Sequence, residues 1–315
     1  MDRKKAKILY QIQSHSDMTK LDVRLNTGYS MSTVLKYVEE LKNEGLIICG
    51  EKNVKSGRTP AEINVDPESY VIGVGYYKGK IYGVRSDLKG NAKHFIEYEC
   101  DRSDSEFAKV ILKLKLSRPP AAVGLIGELD SSSEVEKATE VKITKGDLSF
   151  GLACFYRFYK LKSAVDIAVV YIDDKIRVLK SGDNLTYYEV GTLFSPIMNT
   201  LKGRLSYKEV LTESVVKERL NCKYAAGLAD MESAFDNDLS VYRDRLEYAA
   251  AELINVVDKL VKPAVTVVGG SYLSESILGK TTACSPYSQI VYAGNVTDAV
   301  GAIAASIALD ELFAY

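Results

Sequence analysis

The chain has 315 residues, with 41 Lys+Arg against 42 Asp+Glu and a net charge of −1, so non-specific attraction to phosphates is expected to be weak. Hydrophobic residues make up 46%, enough for sizeable cores, yet the longest apolar run, 299–309, is too short and too rich in Ala and Gly to span a bilayer. Five cysteines, Cys49, Cys100, Cys154, Cys222 and Cys284, are odd in number, widely spaced and never in a CxxC, which argues against a zinc cluster or disulfide framework and for a reducing cytosol.

The first predicted helix runs from about Arg3 to Gln13, with Ile8, Leu9 and Ile12 on one stripe. Thr19 followed by Asp22 matches a capping box and starts a second helix, in which Leu21 and Leu25 share a face. That helix breaks at Asn26-Thr27-Gly28. A third begins near Ser30, its Val34, Val38 and Leu41 turned inward while Ser32 and Lys36, with Thr33 nearby, project outward. Beyond Gly45 the apolar Leu46-Ile47-Ile48-Cys49, the charged Glu51-Lys52-Asn53 and the return through Val54-Lys55 to Ser56-Gly57-Arg58-Thr59-Pro60 read as a two-stranded wing. Residues 1–66 are therefore expected to form a winged helix-turn-helix that binds double-stranded DNA. Ser30, Ser32, Thr33 and Lys36 would meet base edges or flanking phosphates, and Arg58 the narrow minor groove. A small helical domain packed on a partner protein is the alternative. Residues 1–60 hold 11 basic against 7 acidic side chains, and the remainder 30 against 35, which places the basic end at the DNA end. With so little charge, useful affinity calls for two modules on two half-sites, hence a dimer, with a tetramer left open.

Past Pro60 short strands alternate with helices, as in an α/β domain. Segments 70–75, 80–86 and 93–98 read as a strand meander, 105–116 as a helix with Phe107, Val110, Ile111 and Leu114 on one face, and 121–126 as a buried strand. A second cycle has a helix near 148–159 and strands at 166–172 and 175–179. Segment 243–261 is the strongest helical pattern, with Leu246, Ala249, Ala250, Leu253, Ile254, Val257, Leu260 and Val261 on one stripe. A buried strand at 264–268 then leads to Gly269-Gly270-Ser271, read as a sharp turn into another helix. The last helix, 296–313, is expected to pack back onto the sheet.

The order of TGYSMSTVLKYVEELKNEGLI, SGRTP, VIGVG with the DLKG turn, EVG at Glu189–Gly191, and the long helix leading into TVVGG resembles the ROK family of repressors and sugar kinases, in particular its xylose-repressor and N-acetylglucosamine-repressor type. The resemblance runs nearly end to end. It implies a two-lobed, actin-like (ribonuclease H-like, sugar-kinase-type) fold after the winged helix-turn-helix, with a sugar as inducer in the regulators and ATP plus sugar in the kinases. The kinase motifs are degenerate. Where the family has Asp-x-Gly-Gly-Thr-Lys, this chain has Gly75-Tyr76-Tyr77-Lys78-Gly79-Lys80; the asparagine before the catalytic aspartate is Gly146, ahead of Asp147; and Ile172-Asp173-Asp174-Lys175 replaces a Gly-rich turn. The family's Glu-x-Gly-His reads Glu189-Val190-Gly191-Thr192, and its cysteine cluster is replaced by residues 201–207. The two histidines, His15 and His94, are read as structural or solvated.

The expected fold is thus α/β, with a winged helix-turn-helix at 1–66 and an actin-like effector and dimerisation domain at 67–315, its lobes near 67–165 and 166–295 and its final helix at 296–315. The expected function is a cytoplasmic, sequence-specific transcriptional regulator, a repressor of carbohydrate-related genes, without catalytic residues, metal or cofactor. Asp147 and Glu189 are what remains of a sugar pocket. A DNA-binding dimer scaffold with no small-molecule effector is the alternative, and a sugar kinase the remote one.

Overall fold

A computed structural model of the chain describes residues 1–50, 61–129, 131–161, 166–182, 185–200, 203–219, 240–282, 287–294 and 296–313. Asp2 caps the first helix, α1 (Arg3–Ser14), by accepting from the amides of Lys4 and Lys5. A short strand, β1 (Met18–Thr19), leads to α2 (Lys20–Thr27), where the hydroxyl of Thr19 accepts from the Asp22 amide and the Asp22 carboxylate accepts from the Thr19 amide, a complete capping box. Gly28, at φ 73°, takes the left-handed conformation that ends α2. The chain then enters α3 (Met31–Asn43). Strands β2 (Ile47–Gly50) and β3 (Glu62–Val65) pair antiparallel, with β3 central in the order β1-β3-β2. Ile8, Leu9, Val23, Val34, Leu41, Ile47 and Ile63 have almost no exposure and form the core of this module. The shared face expected of Leu21 and Leu25 points into solvent, at 50% and 68% exposure. Val23 and Thr27 occupy the inward positions of this eight-residue helix. The wing tip, 51–60, lies outside the described residues.

The next strands are β4 (Tyr70–Tyr77), β5 (Lys80–Asp87) and β6 (Ala92–Glu99), an antiparallel meander. His94, at φ 53°, is the extra residue of a bulge in the edge strand β6, between the Arg85–Lys93 and Val84–Phe95 pairs. Helix α4 (Asp104–Leu114), strand β7 (Ala122–Ile126), helix α5 (Ser132–Thr139) and strand β8 (Ile143–Gly146) extend the sheet to the order β6-β5-β4-β7-β8, with β7 and β8 parallel to β4. Helix α6 (Leu148–Phe155) continues as a π-turn over Tyr156–Leu161.

A second sheet repeats that order. Strands β9 (Ile167–Ile172), β10 (Ile176–Ser181) and β11 (Thr186–Tyr187) form its antiparallel half, and a separate hairpin pairs β12 (Phe194–Thr200) with β13 (Gly203–Ser206). Helices α7 (Tyr207–Leu211), α8 (Glu213–Arg219) and α9 (Ser240–Val261) precede β14 (Val265–Gly270), α10 (Ile277–Thr282) and β15 (Gln289–Gly294), giving β11-β10-β9-β14-β15. On α9 the apolar stripe is buried from Leu246 to Val261, except that Leu260 is 66% exposed. Gly269 and Gly270 do not turn into a helix. They are the last two residues of β14, where a methyl on Gly270 would crowd the carbonyl of Ile172, and α10 starts only at Ile277.

A 3-10 turn, Thr297–Ala299, leads into the last helix, α11 (Val300–Phe313), which returns to the first sheet. Its small residues lie directly on the strands: a methyl on Gly73 would overlap the Ala305 nitrogen and the Gly301 oxygen, and one on Gly124 the Ala304 oxygen. Its far end reaches the helix-turn-helix. Tyr10 of α1 packs edge-on against Phe158 and Phe313, with ring centroids 6.5 and 6.2 Å away, and those two rings are 5.6 Å apart. The module and this sheet therefore share one continuous core. Arg118, in the loop before β7, adds polar contacts by donating to Asp66 at 2.8 Å and to the carbonyl of Gly45 just past α3.

Contacts divide the chain into two units, 1–162 with 299–315, and 163–298. The helix-turn-helix is part of the first. The architecture is α/β, a winged helix-turn-helix followed by two ribonuclease H-like sheets of actin-like order.

In the second unit the carboxylate of Glu247, 1% exposed, accepts from Ser274, Ser276 and Lys280. Burial works to raise its pKa, but these hydrogen bonds prevail and hold it below the ordinary 4.5, while Lys280, although burial opposes it, is held above 10.5 by Glu247 and Asp244. Glu247 thus contributes stability above pH 4.5 that is lost as pH falls through its lowered value, and Lys280 contributes below pH 10.5 until pH rises through its raised one. Lys280→Ala is expected to cost about 3 kcal/mol at neutral pH by leaving a buried carboxylate without its cation, and less once pH has fallen through the lowered value of Glu247, where it is neutral; urea denaturation at pH 7 and stepwise downward from pH 4.5 measures both. Gly124→Ala, which drives a methyl into the α11 backbone, is expected to cost about 1–3 kcal/mol in the same assay.

Candidate nucleic-acid interface

The first turn of α3 gathers three hydroxyls. Ser30 is the N-cap and accepts from the Thr33 amide at 3.3 Å, and its Oγ lies 2.9 Å from that of Ser32 and 2.8 Å from Oγ1 of Thr33. Ser30 and Ser32 are exposed and Thr33 is half-buried. Lys36, one turn on and exposed, sits 5.1 Å from the Tyr37 ring and 3.9 Å from Glu40. The partial positive charge of a helix N-terminus, several hydroxyls and a lysine on one outward surface suit a negatively charged, hydrogen-bonding partner.

Beneath that surface α3 is fixed from several sides. Val34, Tyr37, Val38 and Leu41 are buried. Burial, aided by a hydrogen bond to Asp2, pushes the Tyr37 phenol up in pKa, so it stays a neutral donor that ties α3 to the start of α1. Lys5, 8% exposed, pairs with Glu44 and, at 3.6 Å, with Glu40. Arg58 lies outside the described residues. The structure adds cations that the sequence reading passed over: Arg24 is exposed and Lys20 half-exposed on α2, and Lys7 on α1 lies 5.4 Å from the Tyr29 ring. Apolar periodicity does not single out Lys20 and Arg24, which lie either side of the Asp22-Val23 pair on α2.

Asp147 and Glu189 fall in different units. The Asp147 carboxylate caps α6 by accepting from the Phe150 amide at 2.8 Å, and a side chain in place of Gly146 would crowd Ile307 and Phe150. Glu189 is exposed, between half-buried Tyr188 and buried Val190. Where the resemblance aligns the phosphate-loop motif, β4 and β5 close in a two-residue turn, Lys78 and Gly79, both at positive φ (49° and 81°). A side chain on Gly75, the last small residue before that turn, would overlap Val300 of α11. Asp173 and Asp174, adjacent in sequence, have different surroundings. Asp173 is 3% exposed, accepts from the Lys175 amide and pairs with Arg177, so only Asp174 faces solvent.

Residues 1–48 match the family of winged helix-turn-helix DNA-binding domains, so the chain carries such a module at its start. No curated protein sequence matches the chain. Among solved structures it is similar to a ROK family transcriptional regulator described as a homolog of the E. coli Mlc protein, at 13% identity and TM-score 0.74, covering 99% of this chain and 96% of that one. It is also similar to a ROK family glucokinase from Streptomyces griseus, solved with glucose and AMPPNP (14% identity, TM-score 0.57, 76% of this chain and 98% of that one), and to a ROK hexokinase from Thermus thermophilus (15%, 0.59, 77% and 99%). At these identities the likeness is one of fold. Among the described residues no helix is long and apolar enough to cross a membrane.

Ser30→Ala is expected to cost about 1 kcal/mol through the lost N-cap, while Ser32→Ala, exposed and away from the cap position, stays within about 0.5 kcal/mol; denaturant midpoints of the two variants check the difference.

Proposed function

We propose that the chain is a cytoplasmic transcriptional regulator that reads DNA as a dimer through residues 1–66, and that residues 67–315 are an effector and dimerisation domain without kinase activity. The observation that carries this reading is α3: an amphipathic helix held on its inner face by a fully buried core, with Ser30, Ser32, Thr33 and Lys36 gathered on its N-terminal half. Such a helix enters the major groove with its N-terminal residues at the base edges. Arg58 is assigned to the neighbouring minor groove. The likeness of fold to a regulator over 99% of the chain, against 76–77% for the two kinases, supports the same reading.

Two features favour an inactive kinase-like domain. The position aligned with the family's phosphate-loop aspartate is Gly75, packed against Val300, and Asp147 is engaged in capping α6. A repressor of carbohydrate-related genes, released by a sugar that binds the DNA-incompetent form more tightly, is the finer reading. The scaffold alternative, with no effector, draws on the same engagement of Asp147 and on the exposure of Glu189. Thermal shifts against a panel of sugars and amino sugars separate the two, since a ligand selective for the folded chain raises the midpoint.

The deciding experiment is selection of duplexes from a random pool by the full chain at physiological salt. An inverted repeat with fixed half-site spacing is expected, and absence of enrichment removes the proposal. On the selected duplex Lys36→Ala is expected to weaken binding similarly across sequences and to lower the slope of log K against log salt by about 1 per module. ATP turnover with a panel of hexoses is expected to stay at background.

A further inference from the structure

The outward face of α3 carries one side chain that its polar surroundings do not explain. Leu35 is 44% exposed, although the module's core is already filled from α3 by Val34, Tyr37, Val38 and Leu41. It follows the exposed Ser32 by three residues and directly precedes the exposed Lys36, so it belongs to the N-terminal two turns of the helix. One turn further the outward positions become Glu39, exposed, and Glu40, half-buried beside Lys5. Carboxylates there repel phosphates, so close groove contact ends at about Lys36.

An apolar side chain set between a hydroxyl and a lysine on a face that enters a groove gains by burying an apolar group of that groove. The floor of the major groove has one such group, the C5-methyl of thymine. We propose that Leu35 is a specificity-determining residue that selects thymine at one position of each half-site by burying that methyl, an inference that rests on the DNA-reading role given to α3 above. Ser32 and Lys36 supply hydrogen bonds and charge on either side, and Leu35 disfavours cytosine, which lacks the methyl and would set its amino group against an apolar side chain.

The test uses the full chain and the half-site obtained from the random pool, with each thymine replaced in turn by uracil, which removes the methyl and leaves the hydrogen-bonding edge intact. At one thymine per half-site the replacement is expected to weaken the native chain about fourfold, the value of one buried methyl, and about fifteenfold when made in both. Leu35→Ala is expected to bind thymine and uracil duplexes equally and to lose the preference at that position in a repeated selection, with helix content unchanged by circular dichroism. If no thymine-to-uracil change weakens the native chain, or if Leu35→Ala keeps the full uracil penalty, Leu35 does not read the methyl and its exposure belongs to a contact with protein. A selection that yields no consensus sinks the DNA reading and this inference together; a consensus indifferent to uracil sinks the inference alone.

Discussion

The close contact between α11 and the first sheet is the constraint from which the rest of the first unit follows. Gly73 and Gly124 let the helix backbone descend onto β4 and β7, and Gly301, Ala304, Ala305 and Ala308 keep its underside small. Burial of a nearly all-apolar helix provides the driving force, and small residues on both sides set the separation. Once seated, α11 brings Leu312 and Phe313 to the helix-turn-helix, where Tyr10 and Phe158 close over them. The same helix that completes the sheet completes the core beneath α1.

That arrangement bears on both halves of the proposed function. A methyl of Val300 at the start of α11 occupies the space a side chain at Gly75 would need, so a residue other than glycine there requires Val300 to shift. At the other end, a module with a shared core and an Arg118 clamp at Gly45 and Asp66 does not hang on a flexible linker. The module carrying α3 is thereby held on the first sheet through a shared core and polar contacts.

Polar residues that look like site material are repeatedly used to hold the fold. Asp173 serves its own turn and Arg177, Asp147 caps a helix, and Glu247 binds a serine pair and a lysine. Asp258, fully buried, accepts from Thr266 and from the amide of Ser288. Each is a carboxylate made tolerable inside the protein by donors within reach.

The sequence by itself determined whatever depends on local pattern. The Thr19–Asp22 capping box, the helix break ending at Gly28, the inward stripe of α3 and the strand meander were legible because caps, turns and periodicity act over three or four residues. The fold class followed from the order of these elements together with the ROK resemblance. Only the tertiary structure decided which face of the short α2 is buried, since Leu21 and Leu25 satisfied the period yet face solvent, and that Leu260 lies uncovered at the end of an otherwise buried stripe. It also decided that Gly269 and Gly270 finish a strand, that Gly75 answers to Val300, and that the helix-turn-helix and the last helix share a core, since these contacts join residues up to three hundred positions apart and no local pattern encodes them.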